Sequence, residues 1–190
     1  MSLRDLPDQS AGPDRLEKDI LGAVAQVARY LRNQRGRFLQ GSRTLSENER
    51  GVMTPFFSVA LLDSVRIVEM TRRRLDDPPF YAMARARGFF NLPEVRHMAS
   101  LTFEEVVVFQ EKLTDRILFH GLVHVAQFRL LGLERYAELF VRSFVRVRSH
   151  CFVPLEAQAF ALDSRFAVNS ERGFSVEDEV LKWIWEGLYA

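Results

Sequence analysis

The sequence predicts a helix-rich α+β fold, with a small sheet preceding a helix that carries two histidines. From residue 14 onward, apolar residues recur in several segments at steps of three and four, the period of an amphipathic helix. Two short segments, residues 65–68 and 102–109, are instead rich in β-branched residues and predict strands. With 190 residues, of which 47% are hydrophobic, the chain is long enough to bury one sizeable core.

The first half of the chain contains one long helix and the predicted sheet. Apolar residues at helical spacing predict an N-terminal helical arm over residues 14–41. Ser46 followed by Glu49 has the form of a capping box and predicts the start of a short helix. The strands at residues 65–68 and 102–109 come next. The second contains an uninterrupted apolar run, which is typical of a strand that is buried on both faces.

Four helices follow the sheet, and residues that favour helix ends separate them. We predict these helices at residues 115–131, 133–148, 155–168 and 176–189. Thr114 and Ser175 are suitable N-cap residues, because a hydroxyl side chain can accept a hydrogen bond from a free backbone N–H group. Gly132 is a helix stop signal, and Pro154 suits the first turn of a helix.

The predicted organisation is a leader followed by one domain. Residues 1–13 are polar and contain two prolines, so we expect a disordered leader, with residues 14–190 forming a single domain. Neither an apolar signal region nor a stretch of about 18 apolar residues is present, and we therefore expect a soluble, cytoplasmic protein without a membrane partner.

Charge and cysteine content exclude several kinds of partner and site. The formal net charge is only +1, so we expect no nucleic-acid partner. Cys151 is the one cysteine, which excludes an intrachain disulfide and a zinc site built from cysteines. An aromatic stripe of Tyr136, Phe140 and Phe144 predicts either core packing or the face of a homodimer.

Two histidines form the strongest candidate site. His120 and His124 lie four residues apart in a predicted helix, which places both imidazoles on one face, one turn apart. A zinc site needs a third protein ligand, and a later helix commonly supplies it as a glutamate. Glu156 is the downstream glutamate in an apolar helical setting, 32 residues after His124. These three residues are therefore the candidate metal ligands.

Each of these residues also has a purely structural interpretation. The histidine pair can be two partly buried side chains that are hydrogen-bonded to backbone or carboxylate groups. Glu156 follows Pro154 in the first turn of a helix, where the helix dipole favours a negative charge.

Two segments resemble the zincin-like metallopeptidases. Residues 119–127, F-H-G-L-V-H-V-A-Q, resemble the H-E-L-x-H-V-x-Q helix of that family, and residues 155–159, L-E-A-Q-A, resemble the segment that supplies the third zinc ligand in its gluzincin group. The strand at residues 102–109 occupies the place of the family's edge strand, which lines the substrate cleft. The resemblance implies zinc bound by His120, His124 and Glu156, and hydrolysis of a peptide or protein substrate.

The chain departs from the family pattern at two positions. Gly121 replaces the glutamate that serves as general base, and Phe160 replaces the aspartate that supports a ligand histidine. Asp163 can take over that support only if its helix is rotated or shifted. A general base contributes about 10²- to 10⁴-fold to the rate, so we expect a weak or inactive peptidase in which Gly121→Glu raises activity. The alternative is a non-catalytic helical interaction protein without a metal.

Overall fold

The computed structural model describes residues 13–70 and 73–189 and confirms the α+β prediction. Most of the predicted leader, residues 1–12, lies outside the described residues. The longer helices are α1 (Pro13–Leu39), α2 (Glu47–Met53), α3 (Val59–Ser64), α4 (Tyr81–Ala86), α5 (Asp115–Leu131), α6 (Leu133–Val147), α7 (Pro154–Val168) and α8 (Val176–Trp185). The strands are β1 (Arg66–Glu69), β2 (Ser100–Phe103) and β3 (Val106–Phe109).

The three strands form one sheet in the order β1-β3-β2. Strand β3 is central, and it runs parallel to β1 and antiparallel to β2. The prediction of one strand over residues 102–109 is therefore wrong, because the chain reverses at Glu104, whose φ is +57°. The valine run does not form the edge of the sheet either. Of the two strands within residues 100–109, it is β2 that lies at an edge of the sheet, where it pairs with β3 alone.

Both faces of β3 are covered, as its uninterrupted apolar run predicted, and all four of its residues are buried. Val107 and Phe109 point into the main core, which contains α5. Val106 and Val108 point to the other face, into a smaller core that includes side chains of α1. The sheet therefore lies between α1 and α5, and the predicted N-terminal arm packs against the rest of the fold.

Helix termini follow the predicted capping residues. Ser46 and Glu49 form the predicted capping box, and the Thr114 side chain accepts a hydrogen bond from the Ile117 N–H group at the start of α5. Gly132 separates α5 from α6 with φ of +77°, a conformation that favours glycine. The last helix ends at Trp185, earlier than the predicted residue 189.

The aromatic stripe of α6 packs inside the chain. Tyr136 and Phe144 are buried, and the partly buried Phe140 stacks on Phe144 with ring centroids 6.2 Å apart. Core packing thus accounts for the stripe, and the homodimer stays a prediction. In the part of the chain that the structure describes, no helix combines the length and the apolar character needed to cross a membrane.

Helix α5 approaches the sheet closely at Gly121. A Cβ atom built on Gly121 would lie 2.7 Å from Cγ1 of Val107, well inside van der Waals contact. The Thr102 hydroxyl also donates a hydrogen bond to the Gly121 carbonyl oxygen at 3.2 Å. Val107 belongs to the central strand and is fully buried, so it has little freedom to move away. The helix therefore requires glycine here for packing, although glycine is a poor helix former.

Alanine substitutions at two helical glycines test this packing. We expect Gly121→Ala to lower the free energy of unfolding by about 1–3 kcal/mol, because overpacking against Val107 outweighs the gain in helix propensity. Gly36, in α1, has no atom within 4 Å of a built Cβ, so Gly36→Ala should raise the free energy of unfolding by up to about 1 kcal/mol. Urea unfolding of both variants measures the difference, and stabilisation by Gly121→Ala would contradict the close contact.

Candidate metal centre

The two histidines converge on one point from successive turns of α5. His124 is buried and His120 is nearly so, with side-chain exposures of 8% and 16%. Their Nε2 atoms lie 3.2 Å apart, and the ring planes are inclined at 75°. The i, i+4 spacing therefore brings the two Nε2 atoms together, as the sequence predicted.

Glu156 reaches the same point from the first turn of α7. Its two carboxylate oxygens lie 3.7 Å from Nε2 of His120 and 3.5 Å from Nε2 of His124. Helices α5 and α7 pack in opposite directions, and Phe119 stacks on Phe166 at 4.5 Å on the side of the core. The ligand atoms of all three predicted residues lie within 4.8 Å of one another, and this group can hold a metal ion.

Asp163 supports His120 from the far side of its ring. His120 donates through Nδ1 to an Asp163 carboxylate oxygen at 3.0 Å, and Arg116 donates to the other oxygen at 2.9 Å. Asp163 therefore occupies the supporting position that the sequence made conditional on the orientation of its helix. Asp163 lies seven residues after Glu156, and two full turns return the chain to the same helix face. Phe160 does not take this role: it packs against the His120 ring at 4.8 Å and is 43% exposed.

Gln127 supports His124, a role that the sequence analysis missed. Its Oε1 atom lies 2.9 Å from Nδ1 of His124, and the Tyr136 hydroxyl lies 3.3 Å from the same nitrogen. Gln127 is fully buried, three residues after the histidine on α5. The sequence signal for this role is a polar residue in the middle of an apolar helix. Such a residue is buried, and a buried amide needs hydrogen-bond partners.

The centre of the site brings three hydrogen-bond acceptors together. With Nδ1 of each histidine donating outward, Nε2 of His120 and Nε2 of His124 present lone pairs to each other and to the Glu156 carboxylate. Acceptors at this separation repel one another unless a cation lies between them. The donor set of two imidazoles and one carboxylate is one that divalent transition metals bind.

Without a metal, a proton can meet this need. Burial lowers the pKa of His120, but its hydrogen bonds to Asp163 and Glu156 outweigh burial and raise the pKa to about 9. Burial likewise opposes ionisation of Glu156, yet the adjacent histidines lower the pKa of its carboxyl group well below the usual range. The metal-free site therefore holds a proton on His120 at neutral pH, where a metal would otherwise bind.

The other candidate residues lie outside this group. Glu104 and Glu105 pair with Arg35 of α1, so neither occupies the position of the missing base. Cys151 Sγ lies 3.6 Å from Nε2 of His150, and among the described residues neither side chain belongs to the metal-binding group.

Comparisons of the chain with models of protein families, with curated proteins and with solved structures find no significant match.

The pKa of His120 makes metal affinity dependent on pH. Between pH 6.5 and 9 we expect affinity to rise up to about tenfold per pH unit, because binding displaces about one proton from His120. Calorimetric titration in two buffers of different ionisation enthalpy measures the protons released. An affinity independent of pH over this range would contradict the assignment.

The stability of the metal-free protein should change in the opposite direction. A pKa raised on folding gives stability that is full below the unfolded value of about 6.5 and is lost as pH rises through about 9. Urea unfolding in the presence of a chelator should therefore show the contribution of His120 declining across this window.

Proposed function

We propose that this chain is a zinc-binding protein related in design to the zincin-like metallopeptidases, with little or no peptidase activity. The observation that carries the proposal is the convergence of the Nε2 atoms of His120 and His124 and the Glu156 carboxylate, whose ligand atoms all lie within 4.8 Å of one another. The preceding sheet and the sequence resemblance of residues 119–127 and 155–159 support the relation to that family.

The spacing of the three acceptors favours zinc over metals that prefer octahedral sites. Tetrahedral ligands about 2.0–2.1 Å from zinc lie about 3.3–3.4 Å from one another. Adjacent octahedral ligands at about 2.1 Å would be only about 3.0 Å apart. The closest separations among His120, His124 and Glu156 are 3.2, 3.5 and 3.7 Å, nearer to the tetrahedral value.

Each residue of the site has a separate task in this proposal. His120, His124 and Glu156 would hold the ion, and bound zinc would supply Lewis-acid activation of water or a carbonyl group. Asp163 holds the His120 ring by accepting a hydrogen bond from Nδ1. This carboxylate also increases the basicity of the imidazole, because its negative charge stabilises a positive charge on the ring. Strand β2 gives the site an adjacent sheet edge, which suits an extended peptide or protein ligand.

The chain lacks the group that would accept a proton from attacking water. Gly121 has no side chain, and Val107 fills the space where a side chain at residue 121 would begin. Loss of a general base lowers a hydrolysis rate by about 10²- to 10⁴-fold, so metal binding is the function that this arrangement favours.

Zinc titration of the chelator-treated protein tests the metal site. We expect one zinc per chain and, at 100 times the dissociation constant, about 2.7 kcal/mol of stabilisation, which corresponds to a rise in melting temperature of about 5–10 °C. His124→Ala should abolish stoichiometric binding, because it removes one of three ligands.

His97→Ala is the matched control for this experiment. His97 is 78% exposed and pairs only with Glu94 at the surface, so its loss should leave zinc binding unchanged. A wild-type protein that binds no zinc, or equal binding by the two histidine variants, would exclude the proposed site and favour an interaction protein without a metal.

Restoring the general base requires two substitutions. Gly121→Glu alone should destabilise the helix–sheet contact, so we pair it with Val107→Ala, which removes the clashing methyl groups. In the zinc-loaded double variant we expect hydrolysis of an unfolded protein substrate to rise by about 10²-fold or more. Gly121→Gln with Val107→Ala is the control, since an amide cannot accept the proton. Equal rates in the two double variants would contradict the peptidase-like design.

A further inference from the structure

Gln127 links two of the candidate ligands through one amide group. Its oxygen lies 2.9 Å from Nδ1 of His124, and its nitrogen donates at 3.0 Å to the carbonyl oxygen of Leu155, the residue that precedes Glu156. The side chain thereby joins α5 to α7 beside the point where each helix contributes a ligand.

The orientation of this amide follows from its partners. The Leu155 carbonyl can only accept, so the Gln127 nitrogen must face it and the oxygen must face His124. An oxygen in that position accepts a hydrogen bond from the Nδ1–H group of the histidine. The Nε2 lone pair of His124 is then left free on the side of the metal site.

A second buried amide fixes the first. Gln158 donates through its nitrogen to the Glu179 carbonyl oxygen at 3.1 Å, which leaves its own oxygen to accept. That oxygen accepts from the Gln127 nitrogen at 3.0 Å and from the hydroxyl of Tyr189. Gln158 and Tyr189 are both buried, so a continuous polar chain runs from the C-terminal segment to His124.

We propose that Gln127 is a positioning residue for the metal site. It fixes His124 as the Nδ1–H tautomer and holds Glu156 at its distance from the histidines, while Gln158 and Tyr189 fix the orientation of Gln127. The effect of Gln127 on metal affinity rests on the proposed function, whereas the tautomer of His124 is a property of the protein alone.

The Tyr136 hydroxyl also faces Nδ1 of His124 but does not select the tautomer. It is more distant, at 3.3 Å, and a hydroxyl can rotate to donate or accept. The amide of Gln127 has no such freedom, because its nitrogen is already committed to Leu155 and Gln158.

The two groups that face Nδ1 give a matched pair of variants. Gln127→Leu removes the amide at similar volume, and Tyr136→Phe removes only the hydroxyl. We expect ¹⁵N NMR to show His124 as the Nδ1–H tautomer in the wild type and in Tyr136→Phe, and as a mixture in Gln127→Leu. Zinc affinity should fall about 10- to 100-fold in Gln127→Leu and change little in Tyr136→Phe. An unchanged tautomer in Gln127→Leu, or its loss in Tyr136→Phe, would overturn the proposal.

Substitutions at Gln158 test the outer part of the chain and remain informative if Gln127→Leu does not fold. Gln158→Glu keeps an accepting oxygen for Gln127, whereas Gln158→Leu does not, and both lose the bond to the Glu179 carbonyl. If Gln158 acts through Gln127, zinc affinity should fall in Gln158→Leu but not in Gln158→Glu. Affinities that follow urea stability alone in both variants would show a merely structural role.

Measuring the tautomer on the metal-free protein separates the two proposals. Absence of zinc binding with an intact Nδ1–H tautomer would exclude the proposed function and leave the orientation by Gln127 standing. Zinc binding by a wild type whose His124 carries its proton on Nε2 when metal-free would instead exclude the role of Gln127 alone.

Discussion

The repulsion among three converging acceptors is the constraint around which the site is built. Packing α5 against α7 in opposite directions brings His120, His124 and Glu156 together, and with both imidazoles neutral and protonated on Nδ1 no group among them can donate a hydrogen bond. Folding therefore brings together groups that need a cation, and either a proton or a metal ion meets that need. Because the two would compete for one place, the proposed metal binding would be linked to protonation and stability.

A second constraint acts where α5 meets the sheet. The helix lies so close to the sheet that residue 121 has no space for a Cβ atom beside Val107. Helix propensity alone would favour glutamate over glycine here by close to 1 kcal/mol, so packing accounts for the glycine. The contact that seats the histidine helix on the sheet is thus also the contact that excludes a general base. If the proposed relation to the zincin-like metallopeptidases holds, the packing of α5 on the sheet and the absence of a general base at residue 121 have one physical origin.

The sequence predicted what depends on local periodicity. The i, i+4 spacing placed His120 and His124 on one face, and the caps marked where α5 begins and ends. The sequence did not predict the reversal at Glu104, because residues 104 and 105 are both glutamates, and a tight turn is usually marked by glycine or asparagine. The meeting of α5 with α7 is a contact between distant segments, and only the need for a third ligand and the resemblance to a known motif suggested Glu156. The sequence analysis made the role of Asp163 conditional on the orientation of α7, because the direction in which a side chain on that helix faces depends on how α7 packs against α5.

The two histidines have different partners, and the difference is informative about the task of each. Asp163 gives His120 an anionic partner that is itself neutralised by Arg116, so this imidazole becomes a stronger base and holds the proton when no metal is present. His124 faces the neutral amide of Gln127, which fixes the tautomer without adding charge. In the proposed metal site, His120 would exchange its proton for the metal, whereas the tautomer of His124 would be the same before and after binding. The hydrogen bonds from the two Nδ1 atoms to Asp163 and Gln127 would then stay in place when a metal binds at the Nε2 atoms.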